Sequence, residues 1–470
     1  MSKRNDIIKE IKVIDINNDG FGVAKNKEGK VYFIKEGVTG DLLEIKVLKK
    51  KRNYYNARIE KIIKKSIFRT IPLCEHFYDC GGCKLQHIDY KYQVKFKQKN
   101  IINNLKKIGK ISVEKFSKII PAKNNINYRN KMEYSFTNNR WLNKDEILSK
   151  IKLNKNGVGL HVEKMWDKIL DVNKCLLQDE QSNRIRNSLK KFAIENKISF
   201  YDLKNKKGLL RTMMIRTSSL KEIMILIQFY ENDISIIEKV LKFLKLQFPE
   251  INSLLYCINK KANDSIYDQK IICFSGKPFI EEKIKSLKFK ISAKSFFQTN
   301  IEQTEKLYKI IESFCNLNGN EIVYDLYSGT GSIGLYLSNK CKKIIGIESI
   351  PEAVKSATEN SKVNKIENSE FILGEVRNIL QKNFVKKKGE PDIVITDPPR
   401  NGMHPKVIDQ LIKISPNKIV YVSCNSATQA RDLSLLKNHY KFINSRAIDM
   451  FPHTNHVENV VLLKRKKIND

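Results

Sequence analysis

Apolar residues in the last third of the chain come in short runs, which longer stretches of mixed polarity separate. Five runs are rich in Ile, Leu and Val, and they cover residues 321–326, 343–348, 371–375, 393–396 and 418–422. Such runs are typical of parallel strands that are buried on both faces. Strands that alternate with helices predict a doubly wound, Rossmann-like α/β domain, which we expect over residues 291–470.

Residues 1–66 have a different pattern, in which turn-forming Asn, Asp and Gly residues separate short apolar runs. Strands are predicted at residues 11–16, 20–24, 30–34 and 41–47. Closely spaced strands predict a small, OB-like β-barrel. A basic run, Lys49 to Arg52, precedes Tyr54 and Tyr55. Basic and aromatic residues together are typical of an RNA-binding surface, although a solvated hairpin tip has the same composition.

Residues 67–290 mix helix and strand patterns, and we expect them to form a central α+β domain. Apolar residues recur near helical spacing over 87–118, which predicts a helix that packs on the C-terminal domain. Arg211 and Arg216 lie on a predicted strand. Two interpretations remain open for these arginines, namely phosphate binding and ordinary surface charge.

Three cysteines of the central domain lie close together in sequence. Cys74, Cys80 and Cys83 surround a Gly-Gly pair, which lets the backbone curl so that thiolates converge on one centre. Zinc and iron–sulfur clusters normally take four protein ligands, so a fourth must come from elsewhere. Cys175, at the end of a predicted strand, is the best candidate, and His76 is a weaker one. The pattern predicts a metal centre.

Composition and charge narrow the class of protein. The chain has 470 residues, is 41% hydrophobic and carries a formal net charge of +36, so we expect a globular protein that binds a polyanion such as nucleic acid. A lysine-rich genome accounts for part of this charge. No run approaches the roughly 20 apolar residues of a membrane span, and no signal segment is evident. We therefore expect a cytoplasmic protein with reduced or metal-bound cysteines and without an obligate protein partner.

A glycine-rich turn follows the first strand of the C-terminal domain. Gly329, Gly331 and Gly334 match the spacing of a dinucleotide-binding turn, and Glu348 ends the next strand. Nicotinamide and S-adenosylmethionine sites both use such glycines and such an acid. Asp325 at the strand end suits a cationic ligand, and the turn lacks Lys or Arg for phosphates. An Asp-Pro-Pro sequence also ends the fourth strand as a rigid shelf for a planar base, so S-adenosylmethionine is favoured.

These motifs resemble, in order, those of the S-adenosylmethionine-dependent RNA uracil-5-methyltransferases. The resemblance is closest to the iron–sulfur branch that modifies 23S ribosomal RNA, and it covers nearly the whole chain. The matching segments are residues 74–83, 295–300, 325–331, 397–400, 423–425 and 451–458. Where some members have Phe-Cys-Gly, this chain has Tyr327, Ser328 and Gly329, which we interpret as a tolerated variation.

The resemblance implies a function for particular parts of the chain. It implies a TRAM domain over residues 1–66 and 23S ribosomal RNA as the expected substrate. It also implies a role for each of several residues: S-adenosylmethionine binding by Gln298, Tyr327, Gly329, Gly331, Glu348 and Asp397, a [4Fe-4S] cluster on Cys74, Cys80, Cys83 and Cys175, a nucleophile in Cys424 and a base in Glu458. Asp397 is compatible with a contact to the cofactor, to uracil or to both.

The expected chemistry explains why a cysteine and a carboxylate are needed together. Uracil C5 is too weak a nucleophile to attack a methyl sulfonium, but addition of the Cys424 thiolate to C6 makes an enolate with its charge at C5. Such a thiolate needs a lowered pKa. Glu458 would then remove the C5 proton before the thiolate leaves. The target base must leave its stack to reach this pocket.

Several other functions share part of this pattern. A transfer RNA uracil-5-methyltransferase would use the same residues. RNA cytosine-5-methyltransferases usually carry a cysteine where this chain has Arg400, and an amino-methylating enzyme would not need Cys424. A non-catalytic RNA-binding factor with a degenerate methyltransferase fold would not need an intact Cys424 and Glu458.

Overall fold

The computed structural model describes residues 7–112, 116–149, 151 and 153–467. Within these segments the strands form a closed barrel, a seven-stranded sheet, a two-stranded hairpin and an eight-stranded sheet. No helix in these segments has both the length and the apolar character needed to cross a bilayer.

The N-terminal strands close into a five-stranded barrel, as the spacing of the turns predicts. The strands are β1 (Ile7–Ile16), β2 (Gly22–Lys25), β3 (Val31–Lys35), β4 (Leu42–Lys50) and β5 (Tyr55–Lys64), in the order β1-β2-β3-β5-β4. Val13, Ile34 and Leu43 are fully buried inside it. The fifth strand was not predicted. Its sequence carries Lys, Arg and Glu on the exposed face, which masks its apolar positions.

A buried carboxylate fastens the barrel to the segment that follows. Asp41 accepts hydrogen bonds from the backbone N–H groups of Val38 and Ser66 at 2.8 and 2.9 Å. It also pairs with the guanidinium of Arg69 at 2.5 Å. Because both ends of this contact lie at the barrel's exit, the ion pair fixes the direction in which the chain leaves the barrel.

The predicted helix over 87–118 is shorter in the structure. Helix α1 (Tyr90–Lys107) begins after Asp89, whose side chain accepts the N–H groups of Lys91 and Tyr92. It ends before Gly109, and residues 113–115 lie outside the described part of the chain. Strand β6 (Ser117–Ile120) then adds to the edge of the C-terminal sheet. The helix packs on the C-terminal domain, because Ile101 and Leu105 belong to its core.

The central domain is a seven-stranded sheet with helices against it. Its strands follow the order β13-β12-β11-β10-β7-β8-β9. The strands are β7 (Lys131–Thr137), β8 (Gly157–His161), β9 (Ile169–Asp171), β10 (Leu210–Thr217), β11 (Ile223–Phe229), β12 (Ile251–Ile258) and β13 (Ile272–Gly276), and the helices are α2 (Lys144–Leu148), α3 (Glu180–Glu195) and α4 (Ile234–Gln247). Phe192 and Phe243 stack 3.9 Å apart and join α3 to α4.

Both interpretations of the arginines on β10 are wrong, because their side chains are buried. Arg211 donates to the carbonyls of Asn259 and Lys261 and pairs with Asp264. Arg216 donates to the carbonyls of Ser292 and Ser295 at 3.2 and 3.0 Å. These guanidiniums bind loop carbonyls and are not available to bind phosphates.

The C-terminal part has the predicted doubly wound topology. Its strands are β14 (Phe279–Ile284), β15 (Leu287–Ser292), β16 (Ile322–Leu326), β17 (Lys343–Glu348), β18 (Ser369–Leu373), β19 (Ile393–Thr396), β20 (Lys418–Ser423), β21 (Tyr440–Ile448) and β22 (Glu458–Arg465). Its helices are α5 (Ile301–Cys315), α6 (Ser332–Leu337), α7 (Pro351–Val363), α8 (Val376–Ile379), α9 (Lys382–Lys388), α10 (Pro405–Ile414) and α11 (Ser426–Leu436), with a 3₁₀ turn at Ser338–Lys340. The sheet order is β18-β17-β16-β19-β20-β22-β21-β6, and β14 pairs with β15 as a separate hairpin.

Two apolar cores cover the two faces of this sheet. Val323 and Ile344 belong to one core, and their chain neighbours Tyr324 and Ile345 belong to the other. This alternation is the period of a strand buried on both sides. The five predicted strands are confirmed, and their carboxyl ends meet at one edge of the sheet.

Candidate active site

The glycine turn lies between β16 and α6 at this edge. Gly331 begins α6 with a φ of +75°, and a Cβ atom there would lie 2.6 Å from the ring of Phe371. Only glycine fits, because both the backbone conformation and the space exclude a side chain. Tyr327 also has a positive φ, +62°, which is uncommon for a residue with a side chain. Burial raises the pKa of Tyr327 to about 12.

Asp325 ends β16 as a buried acid. One carboxylate oxygen accepts the N–H of Gly334 at 3.0 Å, and the other has no hydrogen-bond partner within the described segments. Burial, and to a smaller extent the charges of Asp397 and Glu348, raise the pKa of Asp325 to about 7. A cation placed beside Asp325 would relieve this unfavourable environment.

Glu348 ends β17 and faces the same turn. One of its oxygens accepts the N–H of Gly329 at 2.9 Å. The other accepts the N–H groups of Ser349 and Ile350 at 2.8 and 3.0 Å. These bonds fix the carboxylate at the carboxyl end of its strand, where an α/β sheet binds its ligands.

Several buried polar atoms near this edge have no protein partner in the described part of the chain. They are the hydroxyls of Ser328, Thr396 and Thr299 and the second oxygen of Asp325. Gln298 is buried next to Thr299, and its carbonyl accepts the side-chain amide of Asn130 at 3.2 Å. Because buried polar groups are normally paired, these atoms fit a polar ligand such as S-adenosylmethionine.

Cys424 and Glu458 come together through the pairing of β20 with β22. Ser423 pairs with Asn459 in an antiparallel register, so the next residues along, Cys424 and Glu458, face each other. Glu458 is buried, and Cys424 is half-buried. Asp397 directly follows β19, which pairs with β20 on its other side. The structure therefore brings together a thiol and two carboxyls that are far apart in sequence.

Burial controls the protonation of these three groups. It raises the pKa of the Cys424 thiol to about 11, and the charges of Glu458 and Asp397 act in the same direction. It also raises the pKa of Glu458, with a further contribution from Asp397, and the pKa of Asp397 itself. The positive charge of Arg400 opposes the shift at Cys424 and at Glu458.

Sequence reasoning did not identify Arg400 as part of the site. Its carbonyl accepts the side-chain N–H of Asn425 at 3.1 Å and the hydroxyl of Thr428 at 3.0 Å. These bonds tie the loop after β19 to the loop that carries Cys424. The available signal was its position directly after Asp-Pro-Pro, which places a cation beside the loop of Cys424, the predicted nucleophile.

The four predicted metal ligands are neighbours. Cys80 and Cys83 pack against an apolar cluster that contains Cys175. Burial raises the pKa of Cys74, raises that of Cys80 to about 11 and raises that of Cys83 to about 12, with a smaller contribution from Cys175 to each. The backbone N–H of Gly82 donates to the sulfur of Cys80 at 3.4 Å.

The residue types fit an iron–sulfur cluster, which takes four thiolates and N–H donors to sulfur. Gln86 adds a second such donor, 3.3 Å from the sulfur of Cys83. Nevertheless, among the described residues no group of three or more His, Cys, Asp or Glu side chains is drawn together closely enough to hold a metal ion. His76, the weaker candidate, accepts the backbone N–H of Asn173 at 3.0 Å through its Nε2.

Comparisons with known proteins point to one class of enzyme. Residues 267–466 match the family model described as tRNA (uracil-5-)-methyltransferase. Proteins from Bacteroides thetaiotaomicron and Porphyromonas gingivalis, both described as uncharacterized RNA methyltransferases, are 44% and 43% identical. The alignments cover 95% and 97% of this chain, respectively, and 99% of each relative.

A solved structure agrees over nearly the whole chain. The crystal structure of the Pyrococcus abyssi tRNA (uracil-54, C5)-methyltransferase in complex with S-adenosyl-L-homocysteine has a TM-score of 0.75 and 31% identity. The match covers 97% of this chain and 100% of that one. This chain therefore belongs to the S-adenosylmethionine-dependent RNA uracil-5-methyltransferase family.

Proposed function

We propose that this protein transfers a methyl group from S-adenosylmethionine to C5 of a uridine in 23S ribosomal RNA, through a covalent bond between Cys424 and C6 of the uracil. The observation that carries the proposal is the register of β20 and β22, which sets Cys424 opposite Glu458. Asp397 lies beside them at the same sheet edge as the glycine turn. The proposed nucleophile, the proposed general base and the cofactor site are therefore close enough together to act on one uracil.

The cofactor would lie along the ends of β16, β17 and β19. Bound there, S-adenosylmethionine supplies an electrophilic methyl group on a sulfonium. Gly329 and Gly331 give the backbone access, and Glu348 suits the ribose hydroxyls. The remaining contacts would come from Gln298, Tyr327 and Asp397. Asp325, at the end of β16 beside the glycine turn, supplies negative charge that favours a cationic ligand.

Cys424 begins the reaction by releasing its thiol proton to solvent. The resulting thiolate adds to C6 of the uracil, and the electron pair of the C5–C6 double bond moves into an enolate whose C5 takes the methyl group. The raised pKa of Cys424 keeps the thiol protonated in the free protein. Positive charge brought next to the thiol would lower that pKa, and Arg400 already acts in this direction. The nucleophile would therefore form when both substrates are in place.

Glu458 completes the reaction by taking the C5 proton. The thiolate of Cys424 can then leave C6, which restores the aromatic ring with its new methyl group. Burial and the neighbouring Asp397 raise the pKa of Glu458, so its carboxylate is a stronger base than an exposed one. Asp397 is suited to accept a hydrogen bond from the uracil edge once the cofactor is bound.

The cysteine group is proposed to hold a [4Fe-4S] cluster on Cys74, Cys80, Cys83 and Cys175. Its side chains supply four thiols, and the N–H groups of Gly82 and Gln86 face two of them. When bound, such a cluster would cross-link residues that lie far apart in sequence. Its role here is structural, because it joins the segment around Cys83 to the end of β9.

The barrel is proposed to act as a TRAM domain that binds RNA. The basic run from Lys49 to Arg52 is exposed at the end of β4. The ring of Tyr54 lies 4.6 Å from that of Phe33, centroid to centroid. Exposed cations beside aromatic rings suit single-stranded nucleic acid. Transfer RNA is the second candidate substrate, since the Pyrococcus abyssi relative is a tRNA (uracil-54, C5)-methyltransferase.

A trapping experiment tests the reaction and the substrate together. The protein is incubated with S-adenosylmethionine and a mixture of 23S and transfer RNA transcripts that carry 5-fluorouracil. Fluorine cannot leave C5 as a proton does, so a methylated adduct on Cys424 should accumulate and be found by mass spectrometry. Sequencing of the attached RNA identifies the substrate. The Cys424→Ala variant should give no adduct; an adduct on another residue, or none at all, would overturn the proposal.

A further inference from the structure

The loop that leads to Glu458 contacts several distant parts of the molecule. This loop, residues 449–457, connects β21 to β22 and is called here the β21–β22 connection. Tyr90 of α1 and Gln303 of α5 bond to Asp449, and Asn300 donates to the carbonyl of Met450. The side chain of Asn455 reaches the first turn of the barrel.

Residues 74–85, called here the cysteine segment, form hydrogen bonds directly to the β21–β22 connection. Lys84 and Leu85, which follow Cys83, donate their backbone N–H groups to the carbonyl of His453 at 2.8 and 2.9 Å. His453 has a φ of +66°. A residue with a side chain keeps this conformation only where its surroundings hold it. The cysteine segment is thus part of what holds the chain five residues before Glu458.

Gln93 joins the same two segments through its side chain. The residue is fully buried on α1. Its amide nitrogen donates to the carbonyls of Leu85 and Ile88 at 2.9 and 2.8 Å, and its amide oxygen accepts the N–H of His453 at 3.1 Å. An apolar side chain of equal size would take this partner away from the carbonyl of Ile88 and the N–H of His453, whereas the carbonyl of Leu85 would still accept the N–H of Ile88 at 2.9 Å.

Tyr128 makes a second link between the cysteines and the connection. Like Cys80 and Cys83, it packs against the apolar cluster that contains Cys175. Its hydroxyl donates to the carbonyl of Pro452 at 3.0 Å. The link is independent of Gln93, because it approaches the connection from the central domain.

The start of the connection is held separately. Lys97 donates to the carboxylate of Asp449 at 2.6 Å and to the carbonyl of Phe451 at 3.0 Å, and the ion pair is fully buried. Lys97 lies one helical turn after Gln93 on the same face of α1. Loss of the Gln93 or Tyr128 contacts would therefore loosen the later half of the connection while its start stays fixed.

We propose that Gln93 and Tyr128 are positioning residues. Through residues 452–457, they make the position of the proposed base, Glu458, depend on how well ordered the cysteine segment is. This inference rests on the roles proposed above for Cys424 and Glu458. Cys424 lies on another loop, and so does the glycine turn, and neither bonds to the connection in the described part of the chain. Disorder in the connection would therefore spare thiolate addition and methyl transfer but slow removal of the C5 proton.

A defect at that step has its own signature. Cys424 stays bonded to C6 until the C5 proton is removed, so an enzyme with a misplaced base accumulates as a methylated adduct on ordinary uracil RNA. A general loss of stability would instead lower adduct formation and turnover together.

The test compares turnover with the fraction of protein in the adduct, measured by intact-mass spectrometry with an ordinary transcript and S-adenosylmethionine. For Gln93→Met we expect turnover to fall about 10- to 100-fold while the adduct fraction rises. This fold-change corresponds to the free energy of the buried hydrogen bonds that the variant loses. Tyr128→Phe should change both quantities in the same direction but less, about 3- to 10-fold for one hydrogen bond. Wild-type protein depleted of iron should also show a raised adduct fraction.

Two controls make the outcome decisive. Gln228→Met removes a buried glutamine of β11, which donates to Asp264 and accepts from Asn259, and it should behave as wild type. Glu458→Gln should give the largest adduct fraction. If Glu458→Gln forms no adduct, the proposed function fails. If Glu458→Gln forms the adduct but neither Gln93→Met nor Tyr128→Phe raises it, the positioning inference is wrong.

Discussion

Replacement of Asp325 by Asn should stabilise the free protein at alkaline pH and weaken its binding of S-adenosylmethionine. The Asp325 carboxylate is buried at the end of β16, and burial raises its pKa to about 7. Only one of its oxygens is hydrogen-bonded within the described segments, to the N–H of Gly334. The acid is therefore held in an environment that disfavours its charged form.

The sign of the pH effect follows from proton binding. An aspartate in the unfolded chain has a pKa of about 3.9, so between about pH 4 and 7 the folded state binds more protons than the unfolded state. The free energy of unfolding must then fall as pH rises. Each pH unit removes about 1.4 kcal/mol, so the cost is about 4 kcal/mol at pH 8.

The Asp325→Asn variant lacks this titration. Its amide oxygen still accepts the N–H of Gly334, but its NH₂ group is buried without a partner, which costs about 1–3 kcal/mol at every pH. The variant should therefore be about 1–3 kcal/mol more stable than wild type at pH 8. The difference between the two proteins should change by about 3 kcal/mol between pH 5 and 8.

Urea unfolding of both proteins at the two pH values measures this difference, and calorimetric titration measures cofactor binding. Asp392→Asn is a matched control, because Asp392 accepts the N–H of Ile322 at the opposite end of the same strand. We expect cofactor affinity to fall only in the Asp325 variant. Equal destabilisation of that variant at both pH values would refute the reasoning.

Three further predictions concern the proposed nucleophile, the glycine turn and the barrel. Methylation should become faster from about pH 6 to 9, because the raised pKa of Cys424 must be overcome to form the thiolate, and a flat pH–rate profile would contradict this. Gly331→Ala should weaken cofactor binding at least about 10-fold, because the new methyl group clashes with the ring of Phe371. Calorimetric titration measures the affinity, and an unchanged affinity would contradict this prediction. Asp41→Asn removes the only carboxylate that pairs with the largely buried guanidinium of Arg69 in the described residues and leaves it the carbonyl of Glu36, and breaking such an ion pair costs about 3–5 kcal/mol. Limited proteolysis should then release the barrel while cofactor binding persists; a barrel as resistant as in wild type would disprove the anchoring role.

The sequence by itself determined the elements that depend on local pattern. The buried strands of the C-terminal sheet have near-continuous apolar runs, because helices cover both faces. The turn at Gly331 could be predicted, since its backbone conformation and the closeness of Phe371 admit only glycine. The barrel strands could be located from their turns, except for β5, whose charged outer face hides its apolar positions.

Only the tertiary structure decided which distant segments meet. β22 pairs antiparallel with both β21 and β20, and its register with β20 sets Glu458 opposite Cys424. Likewise, Cys175 lies beside the cysteines near residue 80 only because β9 and its loop fold against that segment. Arg216 is a case in which local sequence misleads. Its charge suggests a surface position, but the side chain is buried and donates to loop carbonyls. Local pattern encodes whether a segment is a strand or a helix, whereas pairing and burial depend on the free energy of contacts between segments far apart in the chain.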